Sequence, residues 1–306
     1  MLIAVPNPNL ERLHATLSPA EVAQVRWRDM RVAGRNPGRI IGSVLRAFVN
    51  EHSGRRVRIV SEAVWPDRTD LEYQACAEHE ALLNLALADA PVHVLCPYDA
   101  AALPRHVLTD AARTHPTVTW RGERRASAAY TDPYTAAASF DGPLSPTPDD
   151  AEILVVNTIT GPRTARRLSY EFGQRMGLPP QRLDDLKITA HELALNSILH
   201  SGGAGLLSIW AAEAHVVVQT EDGGQITDPL VGRHPAGPAE IGHGLSVVHQ
   251  VGDLVRIHRT ENGTTVRAYF RLPQPIERSE IGAQTMVNTS QEAANDASQR
   301  PGRHSR

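Results

Sequence analysis

The chain has 306 residues, enough to bury a large core and to form two domains, and it carries a formal net charge of −3 with Lys and Arg spread along its length. Such a balance leaves no electrostatic footprint for direct nucleic-acid binding. No apolar run approaches the ~18–20 residues of a membrane helix, and the start MLIAVPNPN has no basic stretch leading into a long apolar core. The expectation is a soluble cytoplasmic protein with no membrane partner.

The two cysteines, Cys76 and Cys96, are far apart and in no metal-ligand spacing, so they read as buried thiols in a reducing compartment. Residues 1–130 read as an α/β unit with a mostly parallel sheet, because strands alternate with helices. Leu2 to Val5 is a short strand cut off by Pro6 and Pro8. Pro19 to Gln24 suggests a short helix, and Val25-Arg26-Trp27 a strand. Asn36-Pro37 starts a helix through Ile40, Ile41, Val44, Leu45 and Phe48, with Asn as cap and Pro in the first turn. Arg56 to Glu62 alternates as a strand does. Asp70 is read as the cap of a long helix through Ala88. Val92 to Cys96 is a β-branched strand halted by Pro97, and Ala100 to Thr114 is helical with a break at Pro104.

Residues 131–150, TDPYTAAASFDGPLSPTPDD, have linker composition. A second unit spans 151–272. It opens on a strand, Ala151 to Asn157, and a helix, Gly161 to Gly177. The stretch DLKITAHELALNSILHSGG, 185–203, is a helix on which Glu192, Asn196 and His200 stack along one stripe. Two strands follow, Leu206 to Ala211 and His215 to Thr220. Gly244 to Val251 is a helix, and a final hairpin turns at Glu261-Asn262-Gly263. Residues 273–306 are polar and read as a disordered tail.

The chemistry is concentrated in the second unit. A carboxylate and a carboxamide one turn apart, Glu192 and Asn196, can hold a hydrated Mg²⁺. Asp222 closes a strand and can accept a hydrogen bond from an exocyclic amine such as that of adenine, while Gly224 lets a ring approach the backbone. Gly242 and Gly244 open a helix whose bare amides suit phosphate oxygens. Residues 227–241 between the two glycine clusters are placed to act as a lid. Each element alone has a plainer meaning: an ordinary surface helix, a common Asp-Gly-Gly turn, a loop-to-helix junction. Order and spacing together favour a nucleotide site.

In that order, HELALNSILHSGG, Asp222 with Gly224, and Gly242-His243-Gly244-Leu245 resemble the GHKL ATPase superfamily, and within it the small anti-sigma-factor serine kinases of bacteria. The resemblance covers about 150–272. It implies a Bergerat α/β sandwich, a mixed sheet with helices on one face, that binds ATP and Mg²⁺. By the resemblance, Asn196 is the Mg²⁺ ligand and Asp222, Gly224, Gly242, Gly244 and Leu245 line the nucleotide. Glu192 would be the general base toward a Ser or Thr hydroxyl on a protein antagonist. The partners implied are a sigma factor and an anti-anti-sigma protein of STAS type, with a homodimer as a further expectation. Ile226 stands where the family's first glycine box continues to another Gly. His191 lies about 100° around the helix from Glu192 and reads as a residue behind the site or on the surface. The alternative is a non-catalytic sensory scaffold on a degenerate ATPase fold.

The segments GRNPGRI (34–40), VWP (64–66), EHEALLNLAL (78–87) and CPYD (96–99) resemble the MEDS sensory domain over about 1–130. Such domains usually begin with a His-bearing strand and a helix before the AVP segment, which are not seen here. That domain implies a small-molecule ligand, and Tyr98 and Asp99 lie at a strand's C-terminal end, where open α/β sheets tend to place one. Glu80 and Asn84 repeat the Glu–x–x–x–Asn spacing without glycine boxes behind them, and read as a partly exposed helix face. Cys96 reads as a packed strand residue.

Overall fold

The computed structural model describes residues 1–233 and 244–273, and Met1–Leu272 form one compact unit. Gly242 and the part of the expected lid beyond Arg233 lie outside the described residues, as does the segment read as a tail apart from Pro273.

The front half is a four-stranded sheet in the order β2-β1-β3-β4, from β1 (Leu2–Val5), β2 (Arg26–Asp29), β3 (Val57–Ser61) and β4 (Val92–Leu95). Every pairing is parallel. Between β1 and β2 lie α1 (Asn7–Thr16) and α2 (Pro19–Val22). The strand ends at Val5 as read, and Pro8 then occupies the first turn of α1, a helix not anticipated, where its missing N–H has no helical partner to lose. After β2 come α3 (Met30–Ala33), α4 (Pro37–Arg39), a π-helical stretch Ile40–Arg46 and α5 (Ala47–Glu51). Ile40, Ile41 and Leu45 from this run are fully buried beneath the sheet and its neighbouring helix.

The long helix α6 (Asp70–Ala86) is capped by Thr69, not Asp70. Thr69 and Glu72 form a reciprocal capping box, which places Asp70 inside the first turn. The helix α7 (Arg105–Thr114) starts just beyond Pro104. A hairpin of β5 (Thr117–Trp120) and β6 (Glu123–Ala126) was not anticipated. On the sheet face carrying Ile3, Val5 and Leu95, a cavity of about 810 Å³ is also lined by Arg12, Leu13 and Glu62.

The segment of linker composition contains α8 (Pro133–Ser139), capped by Asp132 and packed with Ala136 and Ala137 against α6. Beyond it Asp141 accepts from the Arg259 backbone N–H at 3.1 Å and meets His258 Nδ1 at 2.8 Å. Arg267 donates to the Ser145 carbonyl and hydroxyl. Residues 141–147 are thus strapped across the second sheet by its own side chains.

That second sheet has the order β10-β11-β9-β8-β7, from β7 (Glu152–Val156), β8 (Gly205–Ala212), β9 (His215–Asp222), β10 (Leu254–Thr260) and β11 (Gly263–Arg271). The expected mixed sheet is antiparallel at every pairing. Two of the four pairings, β8–β9 and β10–β11, are short hairpins; β7 reaches β8 by way of two helices, and β9 pairs β11 with β10 between them in sequence. Alternation decides the faces. Leu207, Ile209, Val216, Val218, Ala268 and Phe270 face α9 (Gly161–Arg175), α10 (Pro180–His200) and α11 (Gly244–Val251). Trp210, Val217 and Tyr269 face the other way and pack with Ala75 of α6. The helices of the second unit cover one face, and a helix of the first helps to cover the other.

The GRNPGRI segment makes the closest contact between the halves. Asn36 is fully buried; its Nδ2 donates to the His249 carbonyl at 2.8 Å and its Oδ1 accepts from Gly38 N–H at 3.1 Å. Gly38 lies against the His249 ring so tightly that a Cβ would sit 2.1 Å from Nδ1. Gly38→Ala should therefore lower stability by about 1–3 kcal/mol through overpacking, read as a lower urea midpoint; an unchanged midpoint would show that the two halves do not meet as described.

His249 is fully buried, and burial first, with the Arg233 and Arg259 cations behind it, holds its pKa well below the ordinary value. The folded state therefore resists a proton that the unfolded chain takes up below about pH 6.5. Stability should fall as pH drops from about 6.5 to about 5, by on the order of 1–2 kcal/mol from this residue. Urea titrations across that range should show a shallower fall in His249→Leu than in the wild type.

Candidate functional site

The site is built where α10, the end of β9 and the start of α11 meet. Pro180 in the first turn starts α10, and the helix runs without Gly or Pro to His200. Leu186, Ala190, Leu193 and Ala194 bury one side in the core. Glu192 and Asn196 fall on the half-buried side. Among the described residues neither side chain has a hydrogen-bond partner.

Gly244 begins α11 directly against this pair. A Cβ there would stand 2.9 Å from Glu192 Oε2 and 3.1 Å from both Asn196 Nδ2 and Oδ1. Only glycine lets the positive end of a helix come so near a carboxylate and a carboxamide. Leu245, the next residue, points into the core and packs on Gly232. Gly232 needs its glycine for a second reason, its φ of +73°.

Asp222 closes β9 and is fixed from two sides. Ser197 Oγ donates to Oδ2 at 2.6 Å, and Gly224 N–H donates to Oδ1 at 2.9 Å. A carboxylate offers about four lone-pair directions, so acceptor capacity remains for an amine. Gly224 is buried against the His200 carbonyl, 2.9 Å from where a Cβ would be. Thr264 of β11, paired in register with Asp222, donates to the Gly224 carbonyl at 2.8 Å. Ser197 and Thr264 were not anticipated. Ser197 stands one position past Asn196 in the same box, a signal that was present in the sequence. Thr264 comes into place only through the β9–β11 register, which is long-range.

The structure thus brings together Glu192, Asn196, Asp222, Gly224 and Gly244. His200 contributes its carbonyl while its side chain is exposed, and His191 is half-buried beside the pair. The set fits a nucleotide with its cation: Gly244 stands where a Cβ would crowd Glu192 and Asn196, and the free donor set is oxygen-rich, as Mg²⁺ prefers.

Residues 157–270 match the histidine kinase-like ATPase domain family, and residues 1–116 match the MEDS family, the methanogen/methylotroph DcmR sensory domain. The chain joins a MEDS domain to a histidine kinase-like ATPase domain. No curated protein matches it. A solved structure of the RsbU and RsbW domains of Rv1364c from Mycobacterium tuberculosis is similar at 21% identity, covering 43% of this chain with a TM-score of 0.31. This chain spans 34% of the length of that one. No helix among the described residues is long and apolar enough to cross a membrane.

Within residues 1–116, one sequence reading changes. Glu80 is not on an exposed face: it is 2% exposed, and Asn84 donates to the Thr114 carbonyl at 2.8 Å. Asp99 caps a turn by accepting from Ala101 and Ala102 N–H, while Tyr98 sits edge-on to His115.

Ser197→Ala in the ATPase domain removes one of the two bonds that orient Asp222. At a net value of ~0.5–1.5 kcal/mol for such a bond, the variant should bind adenine nucleotide roughly two- to tenfold more weakly. Equilibrium titration with a fluorescent ATP analogue measures this; unaltered affinity would remove Asp222 from the binding surface.

Proposed function

We propose that the ATPase domain binds ATP with Mg²⁺ and that the chain is a cytoplasmic anti-sigma regulator of the partner-switching type. The observation that carries the proposal is the approach of Gly244 to the unpartnered Glu192 and Asn196. A helix N-terminus, a carboxamide and a carboxylate then share one space, with a positioned Asp222 at the far end. The match to a histidine kinase-like ATPase domain supports the nucleotide.

In this proposal Asn196 holds the cation, which neutralises charge on the phosphates. Asp222 accepts from the adenine amine, with Gly224 giving the ring room. Gly242 and Gly244 present amides to the phosphates, and Leu245 anchors the start of their helix in the core. Glu192 takes the proton from a Ser or Thr hydroxyl of an antagonist protein. The partners in this proposal are a sigma factor and an antagonist of STAS type, with a homodimer as the assembly. The cavity on the front sheet is offered to a small apolar ligand that the MEDS domain reads. A non-catalytic reading is favoured by one observation: Ile226, where a glycine would continue the box, packs against the core.

Calorimetry with ATP and Mg²⁺ should give saturable binding that Asn196→Ala weakens by at least about tenfold, the usual scale for losing a group that holds a catalytic metal. Wild type that does not bind ATP sinks the proposal. Radiolabel transfer from ATP to a co-encoded antagonist should vanish in Glu192→Ala while ATP binding persists. Binding without transfer by the wild type leaves the scaffold reading in place of the kinase.

A further inference from the structure

A cluster in the MEDS domain takes no part in the proposed nucleotide chemistry. It consists of Glu80 on α6, Cys96 just beyond β4 and His115 at the C-terminal end of α7. One ligand atom from each lies within 4.8 Å of the others. The position is the C-terminal end of a parallel sheet, where open α/β folds place ligands.

Two details of geometry point beyond packing. His115 Nδ1 lies 2.8 Å from the Ala111 carbonyl. A carbonyl can only accept, so Nδ1 carries a proton, and in the neutral ring Nε2 is then a bare lone pair. That lone pair faces Glu80 Oε2 at 3.2 Å. The two atoms are not aligned for a hydrogen bond, and among the described residues neither has any other hydrogen-bond partner. Glu80 is 2% exposed, so an unsatisfied carboxylate oxygen there is costly. Two lone pairs turned toward one gap are satisfied either by a proton or by a cation between them.

We propose that Glu80, Cys96 and His115 hold a divalent cation of the zinc class. Tetrahedral zinc with bonds of ~2.0–2.3 Å sets its donors about 3.3–3.7 Å apart; the His115–Glu80 separation of 3.2 Å lies just below that range, and Cys96 needs only a small inward movement. The set of one nitrogen, one sulfur and one oxygen suits a borderline ion and does not suit Mg²⁺ or Ca²⁺. The Ala111 carbonyl supplies the outer hydrogen bond that a ligating histidine characteristically makes through its other nitrogen. On binding, the Cys96 thiol loses its proton to solvent and the sulfur–metal bond forms. Thiolate and carboxylate then balance the 2+ ion, and the fourth position is left for water or an exogenous donor. The three ligands come from three elements, so no sequence spacing announces them.

The competing occupant of the gap is a proton shared by His115 and Glu80, and Co²⁺ separates the two. The full chain, stripped with chelator, should bind one Co²⁺ with a thiolate-to-cobalt charge-transfer band, and Zn²⁺ should displace it. Cys96→Ser should abolish the band and His115→Ala should weaken binding by at least about tenfold, while Cys76→Ser should behave as wild type. Wild type that binds no Co²⁺ stoichiometrically, or binds it without a thiolate band, overturns the proposal whatever the variants do. So does a band that persists in Cys96→Ser or is lost in Cys76→Ser. ATP titrations are not involved, so this outcome is independent of the nucleotide site.

Discussion

The arrangement depends on how α11 is held at both ends. The first residue of this helix, Gly244, stands against Glu192 and Asn196, and its last carbonyls carry the negative end of the helix dipole. Those carbonyls are met from the MEDS domain by Asn36 on His249, Arg39 on Gln250 and Arg35 on Val251. Arg182 at the start of α10 reaches the Val251 carbonyl as well, at 2.7 Å, and pairs with Asp253 and Asp185. Eight residues of helix thus connect a cap built by the front domain to the mouth of the candidate nucleotide site. A shift of α11 along its axis would cost these bonds at one end while it changed the approach of Gly244 at the other. Packed elements of this kind have discrete positions more than a continuous range, which gives the front domain a physical handle on the site.

Helix α6 makes a second connection, of a different kind. Glu78 and Glu80 are two residues apart, about 200° around the helix. Glu78 is buried and paired with Arg233 and Arg259 of the ATPase domain. Glu80 faces Cys96 and His115 within the MEDS domain. Ala75 on the same helix packs against the second sheet, and Ala81, Leu82 and Ala86 pack with the π-helical run and α8. A helix buried on so many sides has no clean polar stripe. This is why EHEALLNLAL suggested an exposed face when it was read by periodicity: its carboxylates are buried, Glu78 against two arginines and Glu80 against Cys96 and His115, which a pattern of apolar spacing does not register.

What could be read from sequence follows the range of the forces involved. The helix read over 185–203, which begins earlier at Pro180 and ends at His200, the two central strands, the Asn-Gly hairpin and the parallel front sheet all rest on local periodicity and turn chemistry. They stand where the residues placed them. The candidate nucleotide-site residues could be proposed for the same reason, because each box is a short local motif. Helix α1 was missed because Pro8 was taken as a stop when it sits in a first turn. Helix α8 was hidden by the Pro-, Ser- and Thr-rich composition around it. The Asn36 bond to the His249 carbonyl, the Arg233–Glu78 pair and the Glu80–Cys96–His115 cluster are contacts between distant segments. Nothing in the spacing of a single chain encodes them.

The stretch between the two glycine clusters shows how such long-range contacts revise a local reading. Residues 227–241 suggested a lid by length and proline content. Its described part is anchored: Asp228 caps Leu230, Gly232 lies on Leu245 and His249, and the Arg233 guanidinium is buried against Glu78. Removing one partner of a buried ion pair strands the other charge at a cost of about 3–5 kcal/mol. Release of Arg233 is therefore not a casual fluctuation. Any opening of the nucleotide site that moves this residue must break a bond to α6, and any closing that uses it is completed by that bond. The carboxylate that completes it belongs to the front half of the chain, two residues from the proposed metal ligand Glu80.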